Sequence, residues 1–198
     1  MEVSILENST RDKIFYTSFR LFLENGYEAT NIRDICKEVG VKASTIYFYY
    51  KSKQDLFFYI YDYIYKDYID YMESIETMDK NMPLKEKLYT LLKKKIEYYI
   101  LDISKRKFIL RCHMFPPEEI ANVIREKYKF YIAEENKIIL DIMGNPQYND
   151  KFITKNINSY LIKCKKLEDY LLYEMITSNI RINDKVISKL WDIFFELM

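Results

Sequence analysis

Residues 26–58 read GYEATNIRDICKEVGVKASTIYFYYKSKQDLFF, and the local stereochemistry of this stretch decides the fold. Asn31 followed by Asp34 is a helix-capping pattern, and Ile32, Ile35 and Val39 then supply one apolar face that runs up to Gly40, a residue suited to a left-handed helix stop. After Gly40-Val41, residues Ala43 to Tyr50 make a second short helix. Ser52 with Asp55 repeats the capping pattern and opens a longer helix that carries Leu56, Ile60, Ile64, Tyr68, Tyr71, Ile75 and Met78 at 3–4 spacing. Upstream, Ile14, Phe15, Phe19, Leu21 and Phe22 mark a helix over residues 10–25 that stops at Asn25-Gly26. Helix, helix, glycine-containing turn and helix are the proportions of a helix-turn-helix, whose second helix enters the major groove of duplex DNA.

Composition agrees with a helical chain. Of 198 residues, 49% are apolar and 31% charged, but only three are Gly and four Pro, which disfavours Gly-rich nucleotide folds and turn-dense β architectures. The expected class is all-α: a three-helix head over 1–52, then a larger helical bundle over 53–198. The net charge of +1 excludes nucleic-acid binding by bulk charge, so any such activity must come from a local patch. Cys36, Cys112 and Cys164 are odd in number and dispersed, as for reduced thiols in a cytoplasmic protein. No run approaches the roughly 18 apolar residues of a membrane-spanning helix, so no membrane partner is expected.

Beyond the long helix, Leu84 to Ile103 keep the helical period, a basic segment leads from Lys105 to Cys112, and Pro117 opens a further helix through Ile120, Ile124 and Tyr128. Two more helices follow at about 150–179 and 183–198, the last with Asn183 as its cap.

The run from Gly26 through Thr30, Ile32-Arg33-Asp34-Ile35, Gly40-Val41, Thr45 to Tyr50 and Lys51 to Phe57 resembles the N-terminal signature of the TetR family of bacterial transcriptional repressors. The likeness covers residues 10–58; past them only the all-helical layout and total length agree. It implies a homodimeric, effector-responsive regulator that binds a double-stranded DNA operator. Arg33, Lys42, Ala43, Ser44 and Thr45 then occupy base-contacting positions, while Thr30, Tyr47, Tyr49 and Lys53 occupy phosphate-contacting ones. An Arg such as Arg33 suits guanine, and phosphate contacts set register without reading sequence. Lys42-Ala43-Ser44 departs from the usual residues at the start of the recognition helix, and Tyr50 replaces the usual Phe, so no relative's operator sequence transfers. The rearranged segment keeps a second reading open: an all-helical ligand-binding or scaffold protein that does not recognise DNA sequence. Local charge favours the first, since residues 31–53 hold five cations against two acids, a net +3.

Other constellations are bland. His113 is the only histidine, and its neighbour Cys112 lacks the companions a zinc site needs, so no metal and no cofactor are expected. Nothing resembles a nucleophile elbow or an oxyanion loop, so no catalytic residue is assigned and the chain does not read as an enzyme. Lys93-Lys94-Lys95 and Lys105-Arg106-Lys107 read as solvated helix faces. Tyr68, Tyr99, Arg111, His113, Tyr128 and Tyr131 are candidates to line an aromatic effector pocket for a small molecule. Finally, the last two helices are apolar on more than one face, which points to Leu172, Ile176, Leu190, Trp191 and Phe194 as a twofold dimer interface.

Overall fold

The computed structural model describes residues 9–79, 81–142, 151–178 and 182–196, with the side chains of residues 84, 151–160 and 194–196 excepted. Its α-helices are α1 (Thr10–Asn25), α2 (Ile32–Val39), α3 (Ala43–Tyr49), α4 (Lys53–Glu73), α5 (Leu84–Leu101), α6 (Ile103–Met114), α7 (Ala121–Ile142), α8 (Lys151–Thr177) and α9 (Asp184–Glu196), with a 3₁₀ turn at Glu118–Ile120 before α7. The fold is all-α, as expected. Local caps set many of the starts: the Asp34 N–H donates to Asn31 Oδ1 at 3.1 Å, the Asp55 N–H to Ser52 Oγ at 3.0 Å, and the Val186 N–H to Asn183 Oδ1 at 3.1 Å. Gly40 ends α2 at φ 76° and ψ 34°, the left-handed conformation its sequence position called for.

Two boundaries differ from the periodicity. α4 stops at Glu73 and does not reach Met78, because the Ser74 hydroxyl donates to the Tyr71 carbonyl at 2.6 Å and the Met78 N–H donates to the Ile142 carbonyl at 2.7 Å. The basic segment after Ile103 is a helix in its own right. Asp102 separates it from α5, its carboxylate accepting the Ser104 N–H at 3.0 Å.

Packing divides the chain into two compact units: one runs up to Asp67 and takes in Lys107–Tyr131, the other holds Tyr68–Arg106 and everything from Ile132 onward. The expected junction at residue 52 is therefore not where the packing divides, since the first turns of α4, most of α6 and half of α7 share the head's core. That core is built on Ile14, Phe22, Ile35, Ile46, Leu56 and Ile60, with Phe57 edge-on to Phe22 at 5.3 Å. Ile35 and Ile46 are fully buried and pin α2 and α3 to it. The second unit packs around Met72, Leu88, Ile96, Leu171 and Leu172.

Within that second unit Leu172 and Trp191 are buried, Trp191 against Tyr89 at 5.5 Å. Their apolar surface goes to the chain's own core, which corrects their assignment to an intersubunit face. Ile176 and Leu190 are half-buried, and the Phe194 side chain lies outside the described residues. The exposed apolar residues of the last helices are instead Ile162, Tyr170 and Tyr173 on one side of α8, and Ile193 on α9. No described helix is long and apolar enough to cross a membrane.

Candidate nucleic-acid interface

The turn between α2 and α3 is closed by the Gly40 and Val41 N–H groups, which both donate to the Cys36 carbonyl at 2.9 and 3.0 Å. Only a residue tolerant of positive φ serves at Gly40, and the sharp turn sets α3 at an angle to α2. α3 buries Ile46, and Tyr50 is buried just past its end, so the opposite face carries Lys42, Ala43, Ser44, Tyr47 and Phe48 into solvent. Ser44, Tyr47 and Phe48 are neighbours on that face by the 3–4 spacing of a helix. Arg33 is exposed on the first turn of α2, and Thr45 is half-buried. The five residues assigned to base contacts thus lie on α2 and α3 of one unit, with all but Thr45 exposed.

Electrostatics sharpen the patch. The Glu38 carboxylate is paired with Arg20, which also holds Glu24 at 2.8 Å, so one of the two acids of the segment is already compensated from α1. Arg33, Lys37, Lys42 and Lys51 are exposed around it. Lys42 sits at the N-cap of α3 and makes no capping hydrogen bond, as expected of a Lys in a position that favours Ser.

The phosphate set divides. Tyr47 and Tyr49 are exposed, at 51% and 39%. Thr30 is 1% exposed, and its hydroxyl donates to the Gly26 carbonyl at 2.8 Å, with the Leu21 carbonyl a second acceptor at 3.1 Å. That side chain closes the end of α1, which corrects its assignment to a phosphate. Lys53 is half-buried: its ammonium donates to the Tyr27 carbonyl at 3.0 Å and lies 4.1 Å above the Tyr27 ring, so only part of its donor capacity faces outward. Phe48 was missed by the sequence reading. It is 81% exposed, the most exposed large apolar side chain among the described residues of the head, and it stands on the outward face of α3. Its place between Tyr47 and Tyr49 in a run of aromatics gave no sign of orientation.

The six residues proposed for an effector pocket are divided between the two units. Tyr68 and Tyr99 are buried in the second unit with their rings stacked at 5.6 Å. Arg111, His113, Tyr128 and Tyr131 belong to the first unit. There His113 Nε2 is 2.9 Å from the Tyr61 hydroxyl and its ring 4.3 Å from that of Tyr128, while Tyr131 stacks on Tyr65 at 4.3 Å and donates to Asp62 at 2.9 Å. Burial pushes the pKa of both Tyr61 and Tyr131 upward. Arg111 turns toward the end of α1. These groups form a packed aromatic core, and among the described residues no cluster of His, Cys, Asp and Glu has the makings of a metal site.

A cavity of about 580 Å³ opens instead within the second unit, lined by α5, α7 and α8. Leu88, Leu91, Leu92, Ile132, Ile139 and Leu161 make most of its wall, and Lys95, Glu135, Lys165 and Glu168 make one side of it. Such a size and an apolar lining suit a small-molecule site. Lys95 lies 2.6 Å from Glu135 and also pairs with Glu168, Lys165 lies 2.9 Å from Glu168, and the Tyr68 hydroxyl donates to Glu135 at 2.8 Å. The basic run at 93–95 is therefore not a uniformly solvated face: Lys93 meets Asp184 and Lys94 meets Glu97 at the surface, while Lys95 points inward. Arg106 of the second run is likewise buried, bonded to Asp169 at 2.6 Å. The signal was present in the spacing, since Lys95 falls three to four residues after Leu91 and Leu92 on the apolar stripe of α5.

Comparison with known proteins follows the same division. Residues 14–60 match the family model described as bacterial regulatory proteins, tetR family. The biofilm operon icaADBC HTH-type negative transcriptional regulator IcaR of Staphylococcus epidermidis is 27% identical over 131 residues, 66% of this chain and 65% of that one. Among solved structures, the TetR-family regulator PfmR of Thermus thermophilus superposes with a TM-score of 0.62 at 19% identity, covering 94% of this chain and 95% of that one. The transcriptional regulator FadR of Bacillus subtilis, solved in complex with stearoyl-CoA, gives 0.55 at 20% identity, covering 93% and 95%. These structural likenesses, over 93–94% of the chain, show the shared fold, and the sequence match shows the head. With its caps and its turn glycine, the segment 14–60 of this chain is a head of the kind found in the tetR family of bacterial regulatory proteins.

Proposed function

We propose that the protein is a homodimeric repressor that holds a near-palindromic DNA operator through α3 and releases it when a small molecule occupies the cavity of the second unit. The observation that carries this reading is α4, one continuous helix from Lys53, just after α3, to Glu73, which carries Tyr68, hydrogen-bonded to Glu135 on the cavity wall. A ligand that alters the packing of Glu135 acts on a residue of the helix that leaves the head. Successive major grooves on one side of DNA lie about 34 Å apart, so a small change in the separation of two heads is enough to break binding.

Arg33, Lys42, Ala43, Ser44 and Thr45 face the bases in this reading. Tyr47, Tyr49 and part of the Lys53 ammonium face phosphates. Exposed Ile162, Tyr170 and Tyr173 of α8, together with Ile193, supply the twofold contact. A long acyl chain, as in the stearoyl-CoA bound to FadR, is the first effector class to test, because the lining of the cavity is largely aliphatic.

Selection of duplexes from a random library, followed by footprinting, is expected to give a symmetric protected site whose occupancy falls steeply with salt as counterions are released. An asymmetric footprint, or affinity that does not depend on sequence, would reject the reading. Tyr170→Glu with Tyr173→Glu is expected to yield folded monomers by sedimentation with much weaker operator binding; a variant that remains dimeric would relocate the interface.

A further inference from the structure

Besides the exposed Lys166, the polar side of the cavity holds two cations and two anions that are already matched to one another. Lys95, Glu135 and Glu168 are 7%, 8% and 1% exposed in their side chains, and Lys165 is 27% exposed. Each carboxylate accepts from a lysine, and Glu135 also takes the Tyr68 hydroxyl. The ionised state of all four is internally consistent. Burial by itself would raise the Glu168 pKa, but Lys165, Lys95 and Arg106 overcome it and hold the carboxyl at about 2, while the two carboxylates keep both lysines protonated in spite of burial. Burial would likewise raise Glu135, and Lys95 and Lys165 bring it below the ordinary carboxylate range.

Such a wall repels a charged guest of either sign. A carboxylate arriving at Lys95 must displace Glu135 or Glu168 and leave an anion without its partner, and an ammonium arriving at the glutamates displaces a lysine in the same way. An aliphatic group disturbs no pair and covers the remaining apolar surface. We propose that this cavity selects an uncharged aliphatic molecule, or the uncharged aliphatic part of a larger one, over its carboxylate or ammonium counterpart, with Lys95, Glu135, Lys165 and Glu168 as the specificity-determining residues. Asn136 and Lys166, also on the lining, are exposed and stand apart from the buried pairs. The inference rests on the reading of the cavity as the effector site and deepens it by naming what the buried end of the effector must be.

Calorimetric titration of the full chain with 1-octanol, octanoate and octylammonium tests it. Octanol is expected to bind at least about tenfold more tightly than either ion at neutral pH, since each ion must break a buried pair. Leu161→Trp, at a half-buried position on the wall, is expected to abolish octanol binding and so places the site. Glu135→Gln removes one anion without changing shape and is expected to reverse the preference toward octanoate, with thermal unfolding confirming that the variant is folded. Glu168→Gln serves the same purpose if Glu135→Gln does not fold. Equal affinity for octanol and octanoate in the unmodified chain, or no octanol binding at all, overturns the proposal without recourse to any variant. Operator affinity is measured separately by fluorescence anisotropy. If octanol binds as expected and DNA affinity is unchanged, the release mechanism fails and the selectivity stands; if octanoate binds equally well, the selectivity fails whatever the DNA does.

Discussion

Arg111 reaches from α6 to close the end of α1. Its Nη1 donates to the Leu23 carbonyl at 3.0 Å and the Glu24 carbonyl at 3.2 Å, and its Nη2 passes so near Gly26 that an added Cβ would stand 2.7 Å from it. Helix ends leave such carbonyls without intrahelical partners, and a cation there also meets the negative end of the helix dipole. Gly26, at φ 89°, provides both the turn and the space. Gly26→Ala is expected to destabilise the first unit by about 1–3 kcal/mol from backbone strain alone, with the guanidinium displaced as well. Arg111→Met is expected to cost about 1–2 kcal/mol by leaving the carbonyls without their charged donor. Urea unfolding of the two variants and the double variant checks this: the shared contact requires the double loss to fall short of the sum.

Thr30 and Arg33 separate structure from recognition. Thr30→Val leaves the Gly26 and Leu21 carbonyls without their buried donor and is expected to lower stability by about 1–2 kcal/mol while the salt dependence of DNA binding stays unchanged. Arg33→Ala is expected to leave stability alone and to relax base preference at one operator position by about 1–3 kcal/mol. A salt slope that flattens by about one charge in Thr30→Val would restore the hydroxyl as a phosphate ligand. Equal losses on specific and random DNA in Arg33→Ala would make the guanidinium a phosphate contact.

Phe48 offers an apolar surface where bases present few apolar partners other than the thymine methyl. Phe48→Ala is expected to weaken operator binding by about 1–2 kcal/mol and to abolish any difference between thymine and deoxyuridine at the position it meets, since the two bases differ only in that methyl. If deoxyuridine substitution throughout the operator leaves the affinity of the unmodified protein intact, Phe48 does not read a methyl group.

Acid should open the second unit through Glu168. Its carboxyl sits among Lys95, Lys165 and Arg106, with Glu135 and Asp169 as the neighbouring acids and Tyr68 bonded to Glu135. The folded pKa of about 2 lies below the ordinary value of 4.5, so the ionised form favours folding. That contribution, on the order of 3 kcal/mol, is present in full above about pH 4.5 and is lost as pH falls toward 2. The difference in thermal midpoint between the unmodified chain and Glu168→Gln is therefore expected to be largest near neutrality and to narrow across that window. A difference independent of pH would mean that the carboxylate is not held ionised by its neighbours.

The head was legible in the sequence because its determinants are local. A capping side chain reaches an N–H three residues away, and a glycine at positive φ acts within its own turn, so Asn31, Gly40, Ser52 and Asn183 mark their helix ends without reference to the rest of the molecule. The register of α3 followed, and with it the outward face that carries Lys42, Ala43 and Ser44. The cavity did not follow, because successive residues on a helix point about 100° apart and only packing decides which is covered. The spacing of α5 already put Lys95 on its apolar stripe, whereas tertiary structure alone enclosed the Thr30 hydroxyl at the end of α1 and distributed the six pocket candidates between two cores. It also placed Glu135 of α7 and Glu168 of α8 against Lys95 of α5, residues far apart in sequence whose charges can be buried only because they neutralise one another.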